Sequence, residues 1–495
     1  MLNKTCIWLC LVLCACSSQP SHSKGQQFLY KNLLFDLDAE VSHQPCRVQG
    51  QIPAWLSGTL LRNGPAKFTA DGKRVGSWFD GLAMLNAFEF TPQEVFYTNR
   101  FIRSNHYEIM VKQGTLNFSG FAQDPCAAKF KDQKTVYVPK AAENVVNANV
   151  NITKYADKMV ALTEIPLPVA FDPKTLDTLG VFDYQDKLPH SKTWESAHPH
   201  HDAGENINYF VQFGEKSTYV IWKMKDGASS REALAEIPVD LPSYMHSFAV
   251  TENYVVLVEF PFVVDPTHLQ PGKAFISNYQ WKPERGTLFL VVVRKTGQVV
   301  SRIKTEPFFA FHHANAYDKE GTIYIDIITY PNADVMGIIA KTEEGGNNKN
   351  LLTQLQRFTI TTKTQKIAQE TIFDQTVEMP TVPDAMASKD YRYCYTSSNQ
   401  FPTSEKEMRP LYKIDVKNKM SKSWVEEGCF AGEPIFVPRP GAESEDDGVV
   451  LSLVLDFDHH RSFLLILDGQ NFTELARAEA PHAIPVGLHG IWKGQ

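Results

Sequence analysis

The chain has 495 residues, of which 43% are hydrophobic and 21% charged, the proportions of a globular protein with a large core rather than of a disordered, collagenous or coiled-coil chain. Its 49 Lys and Arg stand against 56 Asp and Glu, a net charge of −7, without the basic excess that nucleic-acid binding calls for. At about 150 residues per domain this length suggests roughly three domains, but 28 Gly, 29 Pro and a 12% aromatic content favour strands and turns.

The first element in chain order is the only continuously apolar stretch, residues 6–15 behind Lys4. It is shorter than the roughly 20 residues that span a bilayer and fits the apolar region of a signal peptide. The run Leu13-Cys14-Ala15-Cys16 resembles a bacterial lipobox. It implies cleavage before Cys16 and lipid modification of that cysteine, which would anchor the protein to the cell envelope. Ser17 behind it, rather than Asp, points to the outer membrane in a Gram-negative host. The expected division is a signal peptide at 1–15, a polar linker at 16–30 and one globular domain at 31–495. Cys46, Cys126, Cys394 and Cys429 remain after processing, too few and too scattered for a disulfide scaffold or a structural zinc site, and whether they pair is left open.

From residue 31 onward strand-like runs recur without a long linker. Examples lie at 254–260, 287–293, 322–327 and 449–455, each β-branched or aromatic and bounded by Gly, Asp, Asn or Pro. Helical periodicity is scarce, with short candidates near 350–355 and 230–235. Many short strands predict an all-β sandwich, barrel or propeller, and the absence of linkers favours a single propeller, although no WD or kelch repeat is present.

Four of the 15 histidines sit in unusual company. His198 lies in Ser196-Ala197-His198-Pro199, His246 in Ser243-Tyr244-Met245-His246-Ser247-Phe248, His312 in Phe308-Phe309-Ala310-Phe311-His312-His313, and His489 in Pro485-Val486-Gly487-Leu488-His489-Gly490. A lone His in an apolar run is usually a satisfied core residue; four such cases raise convergence on one metal.

These contexts, with the motif Gly58-Thr59-Leu60-Leu61-Arg62-Asn63-Gly64-Pro65, the motif Trp78-Phe79-Asp80-Gly81 and the tail Glu445-Asp446-Asp447-Gly448, resemble the carotenoid cleavage oxygenases, the retinal-pigment-epithelium protein family, over residues 30–495. The resemblance implies an all-β fold: a seven-bladed propeller with one Fe(II) on its axis and a cap of loops and short helices. By the same resemblance His198, His246, His312 and His489 hold the iron. His312 is preferred over His313 because it directly follows Phe311 and because adjacent strand residues face opposite ways. Four imidazoles leave two positions of a six-coordinate iron open for O2 beside an apolar substrate, unlike the usual two-His-one-carboxylate site. A metal-bound His donates its other N–H, often to a carboxylate. The matching residues are Glu164, Glu378 and Glu433, for His246, His312 and His489 respectively, with none for His198. Intervals of 66 residues from His246 to His312 and from His312 to Glu378, then 55 to Glu433 and 56 to His489, fit one inner-strand residue per blade.

The reaction so implied is cleavage of a conjugated C=C bond of a carotenoid or apocarotenoid by O2, giving retinal-type aldehydes and, in the animal branch that the Asp124-Pro125-Cys126 and His246 contexts resemble, central 15,15′ cleavage of β-carotene. A stilbenoid-cleaving relative is the alternative, disfavoured by Thr163 where those members carry Lys. A metal-free carotenoid-binding propeller is a second alternative, of a different class. The segment between Phe260 and Trp281 is a candidate apolar patch for the membrane that dissolves such substrates, or else core.

Overall fold

A computed structural model describes residues 31–92, 94–116, 120–122, 146–190, 193–268, 273–340, 351–399 and 409–494. Residues 1–30, where a signal peptide and a polar linker are expected, lie outside them with Cys16, as does Cys126. The four strand-like runs form the strands Tyr254–Glu259, Thr287–Val293, Thr322–Thr329 and Gly448–Asp456. These sit inside their sheets, covered on both faces, so they read as continuous apolar runs. Thr287–Val293 is buried along most of its length, whereas its outer neighbour Val299–Thr305 alternates, with Ser301 and Ile303 inward and Arg302 and Lys304 outward.

Seven antiparallel sheets follow one another along the chain as the blades of a propeller. The first is built on Gly58–Lys67, Leu82–Thr91 and Glu94–Phe101. The second runs from Asn151–Tyr155 to Thr178–Val181, the third from Thr193–Glu195 to Glu232–Val239, and the fourth from Ala249–Val250 to Val299–Thr305. The fifth runs from His313–Lys319 to Lys366–Phe373, the sixth from Val377–Thr381 to Met420–Trp424, and the seventh from Cys429–Ala431 to Glu474–Glu479. Two exchanges join first blade to seventh. Gly490–Gly494 supplies the inner strand of the first blade by pairing with Gly58–Arg62, and Arg47–Gly50 supplies the outer strand of the seventh by pairing with Ala476–Glu479. The two ends of the chain thus close the ring, and closure leaves only short outer edges exposed. The inner strands stand side by side around the axis: Ala249–Val250 beside His313–Lys319, that beside Val377–Thr381, and Gly490–Gly494 between Ile435–Pro438 and Asn151–Tyr155.

Both helical expectations are overturned. Residues 232–239 form the outer strand of the third blade, where Ala235 and Ile237 point inward and Glu236 outward, and residues 354–361 form a strand of the fifth. Ala, Glu and Leu favour helices, but pairing with a preformed neighbour strand outweighs a preference of a few tenths of a kcal/mol per residue. The helices that do form are short: Asn105–Tyr107 running into Glu108–Lys112, and Asp334–Ala340, which packs Val335, Met336 and Ile339 into the core near Trp78–Asp80.

Of the two readings of the segment between Phe260 and Trp281, its described part takes the core one. Phe260, Phe262, Val263, Val264, Ile276 and Tyr279 are buried, because the hairpin Phe262–Val264 with Tyr279–Trp281 folds onto the fourth and fifth blades. These side chains are core and present no exposed patch. Cys46, Cys394 and Cys429 are free thiols. No helix among the described residues is long and apolar enough to cross a membrane.

Candidate metal centre

His198, His246, His312 and His489 converge, one ring nitrogen of each lying within 4.8 Å of the others. All four sit where the chain enters an inner strand. His246 lies three residues before Ala249–Val250, and His312 and His489 lie immediately before His313–Lys319 and Gly490–Gly494. His198 occupies the gap between Thr193–Glu195 and His200–Asp202. The recurring sequence interval therefore reflects the entry to each inner strand. Glu378 lies on the inner strand of the sixth blade and Glu433 in the gap between the two inner strands of the seventh, while Glu164 departs from the pattern, sitting between the second and third strands of the second blade.

Each glutamate meets one imidazole. His246 Nδ1 donates to Glu164 Oε1 at 2.6 Å, His312 Nδ1 to Glu378 Oε2 at 2.5 Å, and His489 Nδ1 to Glu433 Oε1 at 2.6 Å. Donation from Nδ1 leaves Nε2 of a neutral ring without a proton. Yet His312 Nε2 and His489 Nε2 are 3.2 Å apart, and His198 Nε2 and His246 Nε2 are 3.0 Å apart. The first of these contacts opposes two lone pairs, a repulsive arrangement that a cation between them makes attractive. Two nitrogens bound cis at about 2.1 Å from one ion are separated by roughly 3.0 Å, so the spacing fits a metal held by four imidazoles. Burial lowers the pKa of His198, His246 and His489 below the usual imidazole value, and at His198 the other three rings lower it further, so these rings stay neutral and able to ligate.

The carboxylates are themselves fixed, each differently. Glu164 accepts from Tyr244 Oη at 2.7 Å and Trp194 Nε1 at 3.3 Å. Glu378 accepts from Tyr330 Oη at 2.8 Å and the Met379 backbone N–H at 2.8 Å. Glu433 accepts from Arg62 Nη1 at 2.5 Å and the Gly490 N–H at 3.0 Å. Burial acts to raise the Glu378 and Glu433 carboxyls, but the facing imidazoles, with Arg62 at Glu433, hold both below their ordinary value. Glu378→Gln is expected to lower metal affinity about tenfold to hundredfold with the fold intact, measured by competition with a chelator; unchanged affinity would contradict an orienting role.

Arg62, Tyr244, Tyr330, Trp194 and Ser196 carry no role in the sequence reading, although Arg62, Tyr244 and Ser196 stand inside its motifs. Ser196 Oγ donates to the His246 carbonyl at 2.7 Å and accepts the His198 N–H at 3.1 Å, tying together the backbones that carry two of the rings. A side chain at Gly490 would strike Leu61 O at 2.4 Å and Arg62 Cδ at 2.6 Å, so glycine there lets Arg62 pass to Glu433.

The other nearby histidines point elsewhere. His200 Nε2 donates to the Phe248 carbonyl at 3.0 Å, His201 bonds Asp226 at 2.9 Å, and His313 Nδ1 lies 2.8 Å from Ser247 Oγ. Burial holds His200 down to about 4 and His313 to about 3, so both are neutral. The surroundings of the centre are unequal. Residues preceding the ligands form a wall of aromatic rings, with Phe311 5.4 Å from His246 and Phe309 5.2 Å from Phe311. Residues following the ligands line a polar cavity of about 290 Å³.

The family model described as retinal pigment epithelial membrane protein matches residues 34–494. The β,β-carotene 15,15′-dioxygenase of Rattus norvegicus is 32% identical over 521 residues, covering 93% of this chain and 91% of that protein. The chloroplastic carotenoid cleavage dioxygenase 8 of Arabidopsis thaliana is 32% identical over 475 residues, covering 90% and 82%. The crystal structure of the cobalt-substituted apocarotenoid oxygenase of Synechocystis superposes with a TM-score of 0.82 at 28% identity, covering 96% of this chain and 100% of that one.

Proposed function

Because the chain belongs to the retinal pigment epithelial membrane protein family, we propose that it is a non-haem Fe(II) dioxygenase that cleaves a conjugated C=C bond of a carotenoid, with β-carotene cut at its central double bond as the first substrate to test. The observation that carries this reading is the set of four converging imidazoles, three of them locked by buried carboxylates, whose opposed Nε2 atoms call for a cation. The dioxygenases named above act on carotenoids by their names, and the Synechocystis apocarotenoid oxygenase has been solved in a cobalt-substituted form.

Iron bound at His198, His246, His312 and His489 supplies activation of O2. Everything else falls to the chain's own side chains. Glu164, Glu378 and Glu433 keep the Nδ1 protons in place and aim three Nε2 lone pairs at one point. Tyr244, Tyr330 and Arg62 keep those carboxylates from rotating. The aromatic wall of Phe309, Phe311 and Tyr244 offers a polyene an apolar bed and excludes water from it. The balance is simple: both atoms of O2 end in the two carbonyl products, one double bond is lost, and no external reductant is consumed.

The N-terminal segment completes the proposal. A lipid on Cys16 would hold the enzyme at the cell envelope, outer membrane in a Gram-negative host, beside membrane-dissolved substrate; the lipobox-like Leu13-Cys14-Ala15-Cys16 supports this. Iron-loaded protein incubated with β-carotene and, separately, with resveratrol is expected to release retinal from the first. Aldehydes from resveratrol alone would replace this reading with stilbenoid cleavage, and an intact fold that takes up no iron would replace it with a metal-free binder.

A further inference from the structure

The cavity on the polar side of the centre runs along the propeller axis, in the direction the inner strands take after the histidines. Its lining joins His198, His312 and His489 at one end to Asp384, an exposed residue, at the other. All seven blades contribute to it. At about 290 Å³ it has room for roughly ten waters at about 30 Å³ each. Two imidazoles stand along it. His200 spends its Nε2 proton on the Phe248 carbonyl, which leaves Nδ1 bare. At His313 the assignment follows from Ser247, whose single hydroxyl proton goes to the Phe311 carbonyl at 2.7 Å. His313 Nδ1 must then donate to Ser247 Oγ, and His313 Nε2 is a bare acceptor, buried and without a hydrogen-bond partner among the described residues.

A metal ion bound for the four histidines has to reach rings that are largely buried. On one side it would cross Phe309, Phe311 and Tyr244, where an ion sheds water at a cost of many kcal/mol. On the other it meets a carboxylate, then a cavity with room for water, then imidazole lone pairs, which are borderline-soft ligands suited to a first-row divalent ion. We propose that this axial cavity is the loading route of the divalent metal, with Asp384 capturing the cation at the mouth and His200 and His313 passing it inward to the four-histidine centre. The proposal rests on the reading of that centre as a metal site and assigns the cavity a role separate from polyene binding.

The test measures rate and final occupancy separately. Metal-free protein is mixed with Co(II), whose visible absorption reports imidazole ligation, in the wild type, in Asp384→Lys at the exposed mouth and in Ala314→Phe, which narrows the cavity. Asp384→Lys is expected to slow uptake roughly tenfold at low salt, with the difference shrinking as salt rises. Ala314→Phe is expected to slow both uptake and removal by a chelator. In all three proteins the end point is one Co(II) per chain. Wild-type rates with complete loading in Asp384→Lys, a change at an exposed position, would overturn the route and leave the metal centre standing. A wild-type chain that binds no cobalt would overturn the metal centre itself and the route with it.

Discussion

Replacing His312 by alanine is expected to abolish cleavage activity and to weaken iron binding by more than about a hundredfold, beyond the usual cost of losing an outer partner. Two effects combine. One of four converging Nε2 atoms disappears, and Glu378 loses the imidazole that, with the Tyr330 hydroxyl and the Met379 N–H, balances its buried charge. The remaining two partners keep Glu378 hydrogen-bonded, so the fold should persist. Metal content of the purified variant and its circular dichroism decide the matter. His201→Ala is the control, since His201 is exposed and bonded to Asp226 two strands from the centre; it should retain full iron. A His312→Ala protein with wild-type iron affinity would sink the four-histidine assignment.

How much of this was legible in the sequence depends on the distance over which each feature acts. The strand runs at 287–293 and 449–455 are local patterns, and strands form there almost residue for residue. The histidines and glutamates stand in recognisable local motifs, and each lies at or near the entry to an inner strand, with Glu164 the exception. The groups that hold the glutamates could not be read this way. Arg62 reaches Glu433 across 371 residues, and only because the last strand of the chain docks inside the first blade does its guanidinium arrive there. Tyr330 reaches Glu378 from the fifth blade to the sixth, 48 residues away, and Tyr244 looks in sequence like any core aromatic until its hydroxyl is found on Glu164. The two helix expectations failed for the same reason: residues 232–239 and 354–361 contain helix formers, but their partners in the sheet decide their conformation. Length could suggest three domains because nothing local announces that residues 490–494 pair with 58–62 and 47–50 with 476–479.

The closure of the ring and the support of the centre meet at Arg62, which makes Arg62→Met the most informative stability variant. The arginine side chain is 4% exposed and Glu433 6%, so their contact is an ion pair almost wholly removed from water. Nη1 donates to Glu433, and Nη2 donates to the Leu488 carbonyl, one residue before His489, at 2.5 Å. Removing the guanidinium strands a buried carboxylate and a buried carbonyl together, which is expected to cost about 3–5 kcal/mol. The pH dependence follows in sign. Glu433 is held below its ordinary pKa, with His489 and Arg62 offsetting the effect of burial. Its contribution is therefore present above the ordinary carboxylate range and lost as pH falls through the lowered value. In Arg62→Met that pKa rises, so the deficit against wild type should be largest near neutral pH and shrink in acid. Arg62→Lys should recover only part of the loss, because one ammonium on a flexible stem does not reproduce the two-nitrogen fork that spans Glu433 and Leu488. The double variant Arg62→Met with Glu433→Leu separates the two duties of the pair. Replacing both charges by apolar groups should restore much of the stability, while His489, left without its acceptor, should still bind metal about tenfold to hundredfold more weakly. Denaturant melts of the metal-free proteins and chelator competition on the loaded ones read these separately. A loss under about 1 kcal/mol in Arg62→Met, the value of a surface pair, would mean that the pair does not join ring closure to the centre.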